Sequence, residues 1–421
     1  MENQASSSIS TLKHALGPGI IMAAAAVGVS HLVQSTRAGA DYGFTLVWAV
    51  ILANLFKYPF LEYGPRYAIA MKKSMIEGYK ELGNWAFWIF VIFTIGTMFI
   101  IQAAVTIVTA SLAAELTGFV LSPLIWSAII LGICIVILVS GQYSALDSSI
   151  KLIMVVLSIS TLVAIIVAVI KSGNAPVAPP PPTIWTKPGV FFLIALMGWM
   201  PIPIDAAAWH SLWSLERFKQ TGVLPRLKDC ITDFNIGYIG AGLLALAFLS
   251  LGSLIMYGTD VSFAAGGATF AKQLVTMYTQ TLGDWAYWII IICAFTTMFS
   301  TTLTVTDAYP RVSREILSII STRFSPISTF SYRVLIVITS LLSLIVLYWS
   351  GSRFTFLIDL ATTLSFLTAP VLAYINYRLV MASNFPLEHQ PPKWLRVLSW
   401  AGIVFLTSFT LLFVYWKFIN I

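Results

Sequence analysis

The chain has 421 residues, 58% hydrophobic and only 10% charged, with a formal net charge of +7. Soluble domains carry about 25% charged residues, so this composition, with a mean hydropathy of +0.87, excludes an ordinary soluble enzyme or binding module. No nucleic-acid motif accompanies the basic excess, which is read as a membrane-topology signal.

A helical span needs roughly 20 apolar residues. Such stretches recur about eleven times: near 17–36, 44–70, 85–114, 121–141, 152–171, 188–213, 233–257, 284–308, 330–350, 354–380 and 396–418. The first lacks a basic leader and runs straight into the next element, so it is not read as a cleavable signal peptide. With the N-terminus inside, the inner loops collect Lys72, Lys73, Lys80, Arg217, Lys219, Arg226, Lys228, Arg311, Arg314, Arg323, Lys393 and Arg396. The outer side keeps Arg37, Lys171, Lys187, Lys272, Arg353 and Lys417. Setting mid-span Lys57 aside, the split is roughly 17 to 6, which by the positive-inside rule predicts an N-in, C-out protein. The expected location is the bacterial inner (plasma) membrane.

The first span is interrupted. Gly17-Pro18-Gly19 opens an apolar run through Ala26, which then meets Gly28-Val29-Ser30-His31. Glycine frees the backbone, and Ser30 is a natural cap for a helix restarting near His31. The positive end of that half-helix would be a ready anion site at mid-membrane. His31 shares a face with Gln34 and Ser35. An ionisable group at that depth is a functional hypothesis; the bland alternative is a neutral histidine bonded to a carbonyl in a packed bundle. On span two, Lys57 and Glu62 are expected to pair with each other or to snorkel. On span three, Gln102, Thr106 and Thr109 fall on one face and could line a pathway, although hydroxyls also bond back to their own helix. Cys134, Cys230 and Cys293 are scattered and indicate neither disulfide nor metal site.

Residues 172–187, with four consecutive prolines, predict an extended outer loop that cannot form helix. The sixth span is then broken in its turn, at Trp199-Met200-Pro201-Ile202-Pro203-Ile204-Asp205. Two prolines two residues apart remove two donors and cannot sit in a continuous helix. Asp205 would open the next half-helix, either as a functional carboxylate or simply as its cap, with His210 and Ser211 beyond. Asp233 is expected to cap span seven, and residues 260–279 to form a short outer helix or loop. Thr301, Thr302, Thr304, Thr306 and Asp307 crowd the inner end of span eight, and Asp359, Thr362 and Thr363 punctuate span ten.

Broken spans in matching positions of two halves mark an inverted-repeat transporter. The halves are read as 1–171 and 188–381, joined by the loop 172–187, with 382–421 as an added eleventh span. Five spans per half is odd, so the second half enters from the opposite side. The sequence carries no zinc-protease, phosphate-loop or serine-hydrolase motif, and no enzyme is predicted.

The run Gly17-Pro18-Gly19, eight residues, Gly28-Val29-Ser30-His31, then Ala38-Gly39-Ala40-Asp41-Tyr42-Gly43-Phe44 resembles the start of the NRAMP family of metal transporters. Gly141-Gln142-Tyr143 with Lys151, Phe366 to Pro370, and His210-Ser211 fit the same family. The resemblance implies an all-α polytopic membrane protein of the leucine-transporter type in the amino acid–polyamine–cation superfamily: a 5+5 inverted repeat with helices 1 and 6 unwound. It also exposes departures. The family's metal-binding aspartate falls on Gly28 and its asparagine on His31, and, with His210-Ser211 as anchor, its methionine falls on Pro203. The family's span-three acids, tied to proton movement, fall on Gln102 and Val105.

A divalent cation needs several oxygen or nitrogen ligands, usually with a carboxylate among them. The leading expectation is therefore a secondary transporter of a small inorganic ion, an anion such as bicarbonate, working by alternating access with Na⁺ or H⁺ as candidate coupling ion. The expected substrate site is Gly28, Val29, Ser30, His31, Gln34, Met200, Pro201, Pro203 and Asp205, with Gln102, Thr106, His210 and Thr363 along the pathway. The alternative is a carrier of Mn, Fe or Mg using a rebuilt His31/Asp205 site, and from another class, a non-transporting sensor on the same scaffold. No other cofactor is expected. The partners are the ion and the lipid bilayer, and the sequence gives no oligomeric state.

Overall fold

The computed structural model describes residues 17–140, 143–172, 179–259, 263–321 and 329–419, and all regular structure within them is helical. The helices are α1 (Pro18–Ala26), α2 (Thr36–Tyr42), α3 (Val47–Met71), α4 (Met75–Leu82), α5 (Asn84–Thr117), α6 (Pro123–Ser140), α7 (Tyr143–Ser172) and α8 (Lys187–Gly198), then α9 (Ala206–Thr221), α10 (Leu227–Ile255), α11 (Gly267–Leu282), α12 (Tyr287–Ile320), α13 (Thr329–Trp349), α14 (Phe354–Val380) and α15 (Lys393–Phe418). A single π-helical turn, Ser30–Ser35, joins α1 to α2. Among the described residues, eight helical stretches are long and apolar enough to cross a membrane. The two interrupted spans are assembled from shorter pieces, α1 with the π turn and α2, and α8 with α9.

At 34 residues each, α5 and α12 run roughly 50 Å and overreach a hydrocarbon core of about 30 Å. The chain turns after α3 at Lys72, which is left-handed, and α4 starts from a reciprocal capping box between Ser74 and Glu77. The expected outer element appears as α11; residues 260–262 lie outside the described residues. So do 173–178 of the proline-rich loop, whose remaining residues 179–186 carry no helix.

The broken spans sit at the centre. Helix α10 packs along α1, the π turn and α2; α14 packs on α8, and α3 on α9. Small residues let these backbones approach, as membrane helix packing favours. A Cβ on Gly19 would meet the Asp233 carbonyl at 2.2 Å, and one on Gly237 would meet the Gly19 carbonyl at 2.2 Å. Asp233 does not cap its own helix as expected: its carboxylate accepts the backbone N–H groups of Gly17 at 3.1 Å and Gly19 at 2.6 Å. A carboxylate from span seven thus holds the N-terminus of α1, where the helix dipole favours negative charge.

Candidate functional site at the two helix breaks

The first break is short. Only Val27 and Gly28 leave regular structure between α1 and the restarted helix. The carbonyls exposed there are met by hydroxyls: Thr301 of α12 shares its proton between Ala24 at 2.9 Å and Val27 at 3.3 Å, and the Ser30 hydroxyl lies 2.8 Å from the Ala26 carbonyl. Ser30 is therefore not the N-cap expected of it; its hydroxyl turns back onto the preceding half-helix. Gly28 is needed for the approach of Thr301, whose Oγ1 would lie 2.7 Å from a Cβ at that position.

His31 points away from the break. Its Nε2–H donates to the Ala241 carbonyl of α10 at 2.8 Å, its Nδ1 lies 2.8 Å from the Ser30 hydroxyl, and the ring meets Phe248 edge-on. This is the bland arrangement, a buried imidazole tied to a carbonyl. Gln34 also looks elsewhere, donating to Asp359 at 3.0 Å and Thr362 at 3.4 Å and accepting from Arg37 at 3.0 Å. Arg37 and Asp359 close that group as an ion pair at 2.9 Å, tying α2 to α14.

The second break runs from Trp199 to Asp205 and contains a cis Met200–Pro201 bond. Isolated prolines do not stop helices here: Pro59, Pro65, Pro310 and Pro370 sit inside continuous ones. The pair Pro201 and Pro203 does. Helix α8 ends hard against α14, where a Cβ on Gly198 would lie 1.9 Å from the Thr362 carbonyl. Lys57 caps that end. Its fully buried ammonium donates to the carbonyls of Met197 at 2.6 Å and Gly198 at 2.7 Å. It neither snorkels nor pairs with Glu62, which is engaged by Arg66 at 2.5–3.2 Å.

Across the gap, Asp205 occupies the N-cap position of α9 without making a side-chain capping bond, and its Oδ2 is buried without a partner. It lies near enough to Lys57 for the two charges to act on each other. Other buried atoms without a partner lie on the same helix and on α12: Trp209 Nε1 and both ring nitrogens of His210 on α9, and Tyr309 Oη on α12. The Trp209 and Tyr309 rings meet at 5.0 Å.

Between the breaks is a cavity of about 20 Å³, room for roughly one water molecule. Of the residues expected to bind substrate, Val29, Ser30, Pro201 and Pro203 line it, while Gly28, His31, Gln34, Met200 and Asp205 do not. Trp199, Trp209 and Thr301 also line it, with Ile101 and Val105 from α5. Trp199 is anchored through its indole N–H to Ser365 at 2.8 Å. The expected pathway residues on α5 are bonded instead to α12: Gln102 donates to Thr306 at 2.8 Å, and Thr109 and Thr302 share a 2.6 Å bond. Thr106 bonds to its own helix at Gln102. Thr363 is off the wall, and its neighbour Thr362 makes the contacts.

The site sets a lysine amine on one side of the second break and a buried carboxyl group on the other. Its ring of walls is apolar, with the Trp209 N–H as an uncommitted donor. Among the described residues, no group of three or more His, Cys, Asp or Glu comes together as a metal shell, and His31 is directed toward α10 instead of Asp205.

The family profile described as natural resistance-associated macrophage protein-like matches residues 19–416. An uncharacterized protein of Pasteurella multocida is 38% identical over 404 residues, 95% of this chain and 92% of that protein. Among solved structures, a manganese transporter of Eremococcus coleocola superposes with a TM-score of 0.70 at 14% identity, covering 96% of this chain and 86% of that one. MhsT in complex with L-phenylalanine gives 0.67 at 13% identity, covering 95% and 98%. The nucleobase-cation-symport-1 family transporter MHP1 gives 0.62 at 12%, covering 95% and 92%. The shared architecture is the leucine-transporter fold.

Proposed function

We propose a change of cargo within a known scaffold: the chain belongs to the natural resistance-associated macrophage protein-like family and is a secondary transporter, an integral membrane protein and not an enzyme. In this reading its cargo is a small inorganic anion such as bicarbonate, carried by alternating access through the space between the two breaks, with Na⁺ or H⁺ as coupling ion. The repeats are 1–171 and 188–381, the N-terminus faces the cytoplasm, and 382–421 is appended.

One observation carries the choice of anion over metal. The carbonyls at the ends of α1 and α8, the groups a broken helix offers to a cation, are bonded to the protein's own donors. The Thr301 hydroxyl is shared between those of Ala24 and Val27, the Gly28 N–H and the Ser30 hydroxyl meet that of Ala26, and Lys57 donates to those of Met197 and Gly198. Trp209 lines the cavity, and its Nε1 is a buried donor without a partner, suited to an acceptor-rich solute once the space opens.

The cavity is too small for bicarbonate as it stands, so binding requires the half-helices to part. The orphaned atoms of Asp205, Trp209, His210 and Tyr309 favour that motion. A buried group without a partner costs about 1–3 kcal/mol, a cost relieved when the space between α9 and α12 opens to water. Liposomes holding the protein test the reading: bicarbonate-driven change of internal pH is expected, beside no saturable Mn²⁺ or Mg²⁺ influx. Saturable metal influx that disappears in Asp205→Ala would overturn it.

A further inference from the structure

We infer that the C-terminal end of α8 is a monovalent-cation seat and that the ammonium of Lys57, tethered to α3, is its resident cation. Two carbonyls at 2.6 and 2.7 Å hold Nζ at the negative end of a helix dipole, where positive charge is favoured. The buried carboxyl of Asp205 lies across the break beyond ion-pair distance, and its Oδ2 has no hydrogen-bond partner, so it is the acid placed to act as countercharge. The carboxylate on Lys57's own helix, Glu62, is committed to Arg66. Carbonyls from a half-helix end with a carboxylate opposite are the donor set by which unwound membrane helices take a free cation. Here the cation is part of the chain. It cannot diffuse away, and while it is seated a coupling Na⁺ cannot use the same carbonyls.

The side chain fills this seat completely, with no exposed surface, so shortening it should leave a cation-sized vacancy. In the full-length protein in detergent, Lys57→Ala is expected to unfold below the wild-type midpoint. Ammonium or methylammonium chloride should raise that midpoint by roughly 3–5 °C at a hundredfold excess over Kd, relative to choline chloride at equal ionic strength. Wild type and Lys57→Met, in which the seat is occupied by a side chain, should show no such difference. If Lys57→Ala fails to fold in ordinary buffer, recovery of folded protein in the ammonium salts is the readout. A response identical in choline, no recovery in any ammonium salt, or Lys57→Met as stable as wild type would overturn the inference, because volume and not charge would then be what the seat requires. The thermal shift reads the seat without any flux, so it stands or falls separately from the anion cargo.

Discussion

The two helix breaks solve the same problem by opposite means. Each exposes backbone carbonyls in the middle of a membrane protein, where unpaired groups are costly. At the first break the answer is neutral: the hydroxyls of Ser30, one turn on, and of Thr301, from α12, reach the exposed carbonyls. At the second it is charged: Lys57 of α3 caps α8, and Asp205 stands at the head of α9. The first break is therefore the stiffer, better-satisfied partner, packed along its length on α10. The second concentrates the buried charge and the orphaned polar atoms, and it is the side on which the transport motion is expected.

That contrast can be broken most severely at Lys57. Lys57→Met leaves Asp205 unbalanced in the core, and losing one partner of a buried charge pair costs about 3–5 kcal/mol, measurable by thermal unfolding in detergent. The double variant Lys57→Met/Asp205→Asn should lose less than the sum of the singles; strict additivity would mean that the two charges ignore each other. Overpacking comes next. Gly198→Ala drives a methyl into the Thr362 backbone at 1.9 Å, whereas Gly28→Ala meets only the Thr301 side chain. The first should cost about 3 kcal/mol and the second about 1, and the reverse order would make the first break the more rigidly held. Thr301→Val keeps shape but loses the hydroxyl on two carbonyls, an expected loss of about 1–2 kcal/mol by the same assay. Smallest is Asp359→Asn, which removes the partly exposed pair with Arg37. It should cost at most about 1 kcal/mol, and the difference from wild type should shrink in high salt.

The scaffold was legible because its signals are strong and local. Long apolar runs gave the spans, and Pro201 with Pro203 two residues apart gave the second break. Gly28 marked the first because only glycine admits Thr301 there. The site walls were less legible. His31 and Gln34 read as substrate-site residues beside the first break, yet both are spent on neighbouring helices, His31 on α10 and Gln34 on α14. Periodicity places a residue on a face but does not say which helix meets that face. The same gap hid the partner of Lys57. A charge at mid-span was visible, but its acceptors are backbone carbonyls far along the chain, and a carbonyl leaves no mark in a sequence. Trp199 stands out in the sequence only as the first residue of the break and Trp209 carries no mark, although both form part of the wall.

The central claim is that the carbonyl ends of both broken helices are already occupied by the protein's own donors. Anomalous diffraction from crystals grown with Mn²⁺ addresses it directly. The account predicts no anomalous peak within coordination distance of the carbonyls of Ala26, Met197 or Gly198, while a peak bridging those carbonyls and Asp205 would contradict it.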